Sequence, residues 1–421
     1  MQSSIKLRLT VMNFLQFAVW GAYLTSMGRY LGTAGFGSEI GNFYAMQGLV
    51  SLFMPALMGI VADRWIPAQR LLGVCHMLAG MLMLGVFLYT QTDAPSYPSL
   101  FALYSLSVAF YMPTLALSNS VAYTSLDQAG LDLVKSFPPI RVFGTVGFIC
   151  TMIAVSLLGL EATSGQFAVS AIISLVLAVY AQTLPNCPTA PKGQSKSLVE
   201  ALGLRAFVLF KQRKMALFFI FSMLLGVSLQ ITNGFANPFI STFGEIPAYA
   251  DTFGVKYANI LISLSQLSET LCILLIPFAL RRFGIRRVML IAMVAWVLRF
   301  ALLGLGNPGS GVWLFLLSMI VYGVAFDFFN VSGSLFVDKE TDPSIRSSAQ
   351  GLFMIMTNGI GATLGSLGAQ AVINRFVYSQ REATAILSGW TTSWYIFAGY
   401  AAVVAVLFAL LFRYNTATEA K

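Results

Sequence analysis

Charge is scarce in this chain: of 421 residues only 10% are Asp, Glu, Lys or Arg, where a soluble globular protein carries about 25%. So few ionised groups cannot coat a water-facing body, and 57% of the residues are hydrophobic. The surrounding solvent is therefore mostly lipid. Strict apolar/polar alternation is also missing, which excludes a transmembrane β-barrel. Histidine is reduced to His76 alone, near the end of a span, so no Ser–His pair is expected at membrane depth. HExxH and GxSxG are absent too, and an enzyme has no recognisable seat here. The four cysteines, Cys75, Cys150, Cys187 and Cys272, show no CxxC spacing. They read as reduced packing residues, with no disulfide, metal or cofactor implied.

What is present is a series of long apolar runs. Lipid satisfies no open backbone, so each run must be a helix of about 20 residues. The fold class expected is an all-α integral membrane protein with twelve transmembrane helices. Six fall near 9–31, 40–62, 71–91, 99–123, 138–160 and 165–184, and six near 214–242, 257–280, 287–306, 312–337, 347–373 and 391–413. The first run follows a basic start and is too long for a signal-peptide core, so it reads as an uncleaved span. Domain boundaries follow: a six-helix bundle over 1–184, a cytoplasmic linker over 185–213, and a second bundle over 214–421. The linker is rich in Pro, Ser and Lys, with one surface helix expected around Leu198–Leu209.

The net charge of +9 invites a nucleic-acid reading, but placement decides against it. With the N-terminus inside, nineteen Lys and Arg lie on inner segments, and Arg29, Lys256, Arg375 and Arg381 on outer ones. Arg141 and Arg299 fall within spans. The positive-inside rule then puts both termini in the cytoplasm. Two loops at corresponding places in the halves look alike. One runs from Gly59 through Asp63 and Arg64 to Arg70, the other from Arg281 through Gly284 to Arg287. The first resembles the G-x-x-x-D-[RK]-x-G-x-[RK]-[RK] signature of the major facilitator superfamily, with Ile66 where a Gly is usual. That resemblance implies a gating role for Gly59, Asp63 and Arg64, and a ligand site near the bilayer midplane.

A charge at the bilayer centre costs about 2.5–3.5 kcal/mol on insertion scales, so each one needs a reason. Of sixteen acids, only Glu269 and Asp327 sit near the middle of a span. Gln266 is one turn before Glu269, Asn330 one turn after Asp327, and Gln230 and Asn233 share the same i, i+3 spacing. On the fifth span Phe137-Pro138-Pro139 suggests a helix start, followed by Arg141, Thr145 and Phe148 on one stripe. Asn13, Gln16 and Trp20, with Tyr44 and Gln47, add polar groups from the first two spans. A lone amide in a span is often interhelical glue worth about 0.6 kcal/mol; Asn13, Gln16 and Gln47 are open between glue and ligand contact. Asp327 is open between a proton-coupling acid and a structural acid paired to Arg141 or Arg299. His76 is favoured as a packing residue over a proton relay. Carboxylates and amides together suit a hydroxylated, amide-bearing ligand, and an aromatic ring such as one of Phe326, Phe328 and Phe329 suits a flat one. A carboxyl in low dielectric can take up a proton near neutral pH and return it when water enters.

At these residues the chain resembles the bacterial nucleoside:proton symporter family of the major facilitator superfamily. The likeness is carried by FLQFAVWGAYL (14–24), FPPIRVFGTVGF (137–148), FFIFSMLLGVSLQITN (218–233), SQLSETLCILLIPF (265–278) and SMIVYGVAFDFFNVSGSLFV (318–337). It implies uptake of purine and pyrimidine nucleosides with protons across the bacterial inner membrane by alternating access. The implied nucleoside contacts are Arg141, Thr145, Phe148, Gln230, Asn233, Gln266, Glu269, Tyr322 and Phe326, with Glu269 and Asp327 as coupling candidates. Expected partners are a nucleoside, a proton and the lipid bilayer, with the chain acting as a monomer and no cofactor. A permease narrowed to one nucleoside such as xanthosine, or a sugar:proton symporter, is the alternative.

Overall fold

The computed structural model describes residues 2–189, 204–343 and 345–414. Every regular element among them is helical. In the first part of the chain these are α1 (Gln2–Gly21), α2 (Met27–Thr33), α3 (Ile40–Ser51), α4 (Met54–Arg64), α5 (Ala68–Tyr89), α6 (Tyr97–Gln128), α7 (Leu133–Leu157) and α8 (Gly165–Ala181). In the second part they are α9 (Arg213–Thr242), α10 (Phe253–Lys256), α11 (Ala258–Ile273), α12 (Ile276–Leu305), α13 (Val312–Glu340), α14 (Arg346–Met354), α15 (Ala362–Phe376) and α16 (Ala383–Leu411). Nine helical stretches among the described residues are long and apolar enough to cross a membrane, and Gly165–Ala181 and Ala258–Ile273 are apolar but shorter.

The burial pattern is that of a body in lipid. On α8, Ile172, Val176 and Val179 are exposed at i, i+4 and i+7, while Gln166, Ser170 and Ser174 are buried. On α16, Val403, Val406 and Leu410 face outward and Ser393 is inside. Apolar groups on the outer face and hydroxyls on the inner one reverse the soluble rule.

Several spans are less regular than hydropathy suggests. The first run breaks into turns over 22–26, and the second breaks at Leu52–Phe53 ahead of Pro55. The expected start at Pro138-Pro139 is corrected: α7 begins at Leu133, with both prolines inside the helix. Neighbouring groups inside a membrane protein re-satisfy the carbonyls a proline frees, so the ring does not end the helix. Between α14 and α15, Ile355–Gly361 is a π-helical segment. α12 is interrupted at Gly284, whose φ of 75° and ψ of 164° fall where a side chain is strained. Of the surface helix expected around Leu198–Leu209, residues 198–203 lie outside the described residues, and Leu204–Lys211 forms a 3₁₀ helix.

The chain forms two compact units. One is Met1–Tyr30 with Leu49–Leu202, and the other is Leu31–Gly48 with Gly203–Lys421. In the first, α1 packs on α7 through glycines: a Cβ on Gly147 would stand 2.2 Å from the Phe14 carbonyl oxygen, and one on Gly21 2.4 Å from that of Phe148. In the second, α9 meets the π segment and α15 in the same way. A Cβ on Gly226 would lie 2.3 Å from the Thr357 carbonyl oxygen, and one on Gly365 2.0 Å from that of Val227. Lipid tails are as apolar as leucine, so close backbone approach supplies the attraction that water would otherwise drive. The segment Leu31–Gly48 joins the second unit through Gln370. Its amide nitrogen donates to the Gly37 carbonyl (3.0 Å) and its Oε1 accepts from the Gly41 amide (2.5 Å).

Candidate functional site

In the first unit, Arg141 and Phe148 meet α1, with Thr145 between them on the same face of α7 by helical spacing. The Arg141 guanidinium sits 4.0 Å from the centre of the Phe17 ring, a cation–π contact that holds the long side chain against α1. Phe148 is buried and meets Trp20 edge to face at 6.3 Å. Arg141 and Thr145 are partly exposed, as ligand contacts require.

The amides of the first span are engaged within the first unit. His76 is fully buried; one ring nitrogen pairs with Gln16 Oε1 (2.8 Å) and the other with the Ser174 hydroxyl (2.9 Å). Gln16 Nε2 donates to Thr114 Oγ1 (2.7 Å), and the Tyr111 hydroxyl donates to the Gln16 carbonyl (2.9 Å). This network ties α1, α5, α6 and α8 together, so Gln16 and His76 are packing groups. Asn13 donates back to the Leu9 carbonyl of its own helix (3.0 Å).

In the second unit, Asn233 Nδ2 donates to Gln230 Oε1 on the same helix at 2.9 Å. Neither amide, nor the side chain of Gln266, forms a hydrogen bond to another helix among the described residues. All three are partly exposed. Interhelical glue therefore does not account for them. The link between α9 and α11 is made elsewhere, by Asn237 donating to Asn259 at 2.9 Å.

α11 and α13 touch along their backbones. The Ser268 hydroxyl donates to the Ile320 carbonyl, and a Cβ on Gly323 would stand 2.5 Å from the Ser268 carbonyl oxygen. This contact brings Glu269 within electrostatic range of both Tyr322 and Asp327. Asp327 is 5% exposed, and its Oδ2 is buried with no hydrogen-bond partner. Within the second unit the pairing with Arg299, part of one of the two possibilities for this acid, is corrected: no ion pair joins them among the described residues. Tyr322 stacks on Phe326 with ring centres 5.6 Å apart and planes at 15°. Phe326 is partly exposed, whereas Phe328 and Phe329 are buried, Phe329 stacked against Phe218.

The two look-alike loops differ in what they do locally. Asp63 has no ion pair or hydrogen bond among the described residues, and a Cβ on Gly59 would meet nothing within 4 Å. The second loop is built into its unit: Arg286 donates to the carbonyls of Phe412 (2.6 Å) and Ala409 (2.7 Å). That caps the otherwise open carbonyls at the end of α16 with a cation. Phe17 and Trp296, which hold Arg141 and Tyr322, were not singled out by spacing. Phe17 stands one position after Gln16, off the polar stripe, and Trp296 lies in an apolar run; neither carries a signal until the helices are packed.

The chain is similar to known proteins over nearly its whole length. A family profile described as "Nucleoside H+ symporter" matches residues 3–417. The chain is 49% identical to the xanthosine permease of Escherichia coli strain K12, over 98% of this chain and 97% of that one. It is 47% identical to the nucleoside permease NupG of the same organism, with the same coverage. The crystal structure of the nucleoside transporter NupG superposes with a TM-score of 0.89 at 46% identity, covering 98% of this chain and all of that one.

Proposed function

This chain belongs to the nucleoside:H+ symporter family, and on that premise we propose that it takes up purine and pyrimidine nucleosides together with protons by alternating access. It is an all-α, multi-pass inner-membrane protein of the major facilitator fold and a transporter, not an enzyme. The observation that carries the reading is the state of Gln230, Asn233 and Gln266: three amides in lipid-embedded helices that bond to no neighbouring helix. Polar groups at such depth need partners, and a ribose or a base edge supplies donors and acceptors for them.

In this reading the nucleoside meets Arg141, Thr145, Phe148, Gln230, Asn233, Gln266, Glu269, Tyr322 and Phe326. Glu269 and Asp327 are the coupling candidates, and Asp327 is preferred because it is deeply buried and its Oδ2 has no partner. Gly59, Asp63 and Arg64 serve as the inner gating motif. In the same reading two bundles, over 1–184 and 214–421, are joined by a linker over 185–213, both termini lie in the cytoplasm by the positive-inside rule, and the chain works as a monomer. A permease narrowed to xanthosine is the second reading, favoured by the 49% identity to the xanthosine permease.

The test is uptake of labelled uridine into proteoliposomes under an imposed inside-alkaline pH gradient, with adenosine, xanthosine and free ribose as competitors. Adenosine and xanthosine should both compete and ribose should not. Competition by xanthosine with poor uridine uptake would favour the second reading. Uptake indifferent to the pH gradient would overturn proton coupling.

A further inference from the structure

Arg299 is a fully buried guanidinium in α12 with no carboxylate partner: it is 1% exposed, and its Nε has no hydrogen-bond partner. Such a charge is costly inside a membrane protein and needs a reason. Its contacts are few and specific. Nη1 donates to the Ser318 carbonyl (2.8 Å) and lies 3.4 Å from the Ser265 hydroxyl, while the Ser318 hydroxyl donates back to the Arg299 carbonyl (3.0 Å). The guanidinium carbon sits 4.5 Å from the centre of the Tyr322 ring.

These contacts fall in a register. Ser265 is one helical turn before Glu269, and Ser318 is one turn before Tyr322. Arg299 thus grips α11 and α13 one turn away from a proposed ligand contact on each. It also lies against the Tyr322 ring, which stacks on Phe326 and is met edge to face by Trp296 at 5.9 Å and 89°. Cation, phenol and phenyl form a series that ends in the partly exposed Phe326.

We propose that Arg299 is a positioning residue for substrate: it fixes the plane of the Tyr322–Phe326 stack, so that a flat nucleobase finds a preset platform. The inference rests on the reading of Tyr322 and Phe326 as nucleoside contacts. Preset rings cost a ligand less ordering than mobile ones, and the loss of a buried cation–π contact is worth roughly three- to thirtyfold in affinity. The effect belongs to binding, since Arg299 touches neither Asp327 nor any other acid.

The experiment compares wild type with Arg299→Met, Arg299→Lys and Ser265→Ala in proteoliposomes, reading KM and kcat for adenosine and uridine under a fixed pH gradient. Arg299→Met should raise KM about tenfold, more for the purine than for the pyrimidine, with kcat within twofold. Arg299→Lys, which keeps a cation near the ring, should recover most of that loss, and Ser265→Ala should raise KM about twofold. If Arg299→Met does not reach the membrane, the lysine and Ser265 variants decide: wild-type KM for adenosine in Ser265→Ala, with Arg299→Lys losing kcat instead of affinity, overturns the proposal. A double-mutant cycle adds Phe326→Leu. If Arg299 acts through the stack, the two effects on KM are less than additive; full additivity overturns it. Phe326→Leu alone separates the two levels. An unchanged KM in that variant removes the reading of the platform itself. A raised KM there, with wild-type KM in every Arg299 variant, removes only the role of Arg299.

Discussion

Replacing Asp327 by Asn tests coupling with little confounding from stability. Asparagine has the shape of a protonated aspartate, and Asp327 has no ion pair among the described residues to lose. Its Oδ2 is buried without a partner, so an amide there forfeits no existing bond, and the cost to folding should stay within about 1 kcal/mol. The effect on transport is far larger. A pH difference of one unit stores about 1.36 kcal/mol per proton, which at one proton per nucleoside sustains roughly tenfold accumulation. Proteoliposomes held 1.5 units more alkaline inside should therefore concentrate uridine about thirtyfold with the wild type. With Asp327→Asn the final ratio should fall to about one, because an amide takes up no proton in this range. Exchange of internal for external nucleoside moves no net proton and should continue. If the variant still concentrates uridine severalfold at steady state, Asp327 is not the coupling group.

Gln230→Ala and Asn233→Ala should each raise KM for uridine about five- to fifteenfold, the worth of one or two buried hydrogen bonds, with membrane expression unchanged; wild-type KM in both would leave them only their bond to each other. Gly365→Val places its Cβ 2.0 Å from the Val227 carbonyl oxygen and should cost about 2–3 kcal/mol, seen as a clear drop in thermal midpoint in detergent. His76→Ala strands the polar atoms of Gln16 and Ser174 and should destabilise by about 1–3 kcal/mol while leaving the pH profile of uptake in place. A shifted pH profile at unchanged stability would make His76 a relay.

Much of the fold was legible because lipid leaves a chain few choices. Apolar runs had to be helices, since lipid offers an open backbone no partner. The pairing of Gln230 with Asn233 and the stripe from Arg141 to Phe148 follow from helical period alone. What hydropathy does not carry is how a helix meets its neighbours. Pro138 and Pro139 mark a helix start in water, yet α7 runs through both, as prolines inside membrane proteins can allow. The breaks at 22–26 and Leu52–Phe53 and the π segment at Ile355–Gly361 are likewise set by packing. Charges mislead for the same reason. The sequence leaves Asp327 open to pairing with Arg299, but α12 turns the guanidinium onto the Tyr322 ring.

The union of Leu31–Gly48 with the second unit has a consequence for synthesis. Gly41 and Gln370 are 329 residues apart, and at 5–20 residues per second the ribosome needs roughly 15 to 65 s to travel from one to the other. Throughout that interval the early segment waits in the bilayer without the glutamine that will clasp it. A biogenesis factor that shelters half-made helices would find its client here, near the very beginning of translation.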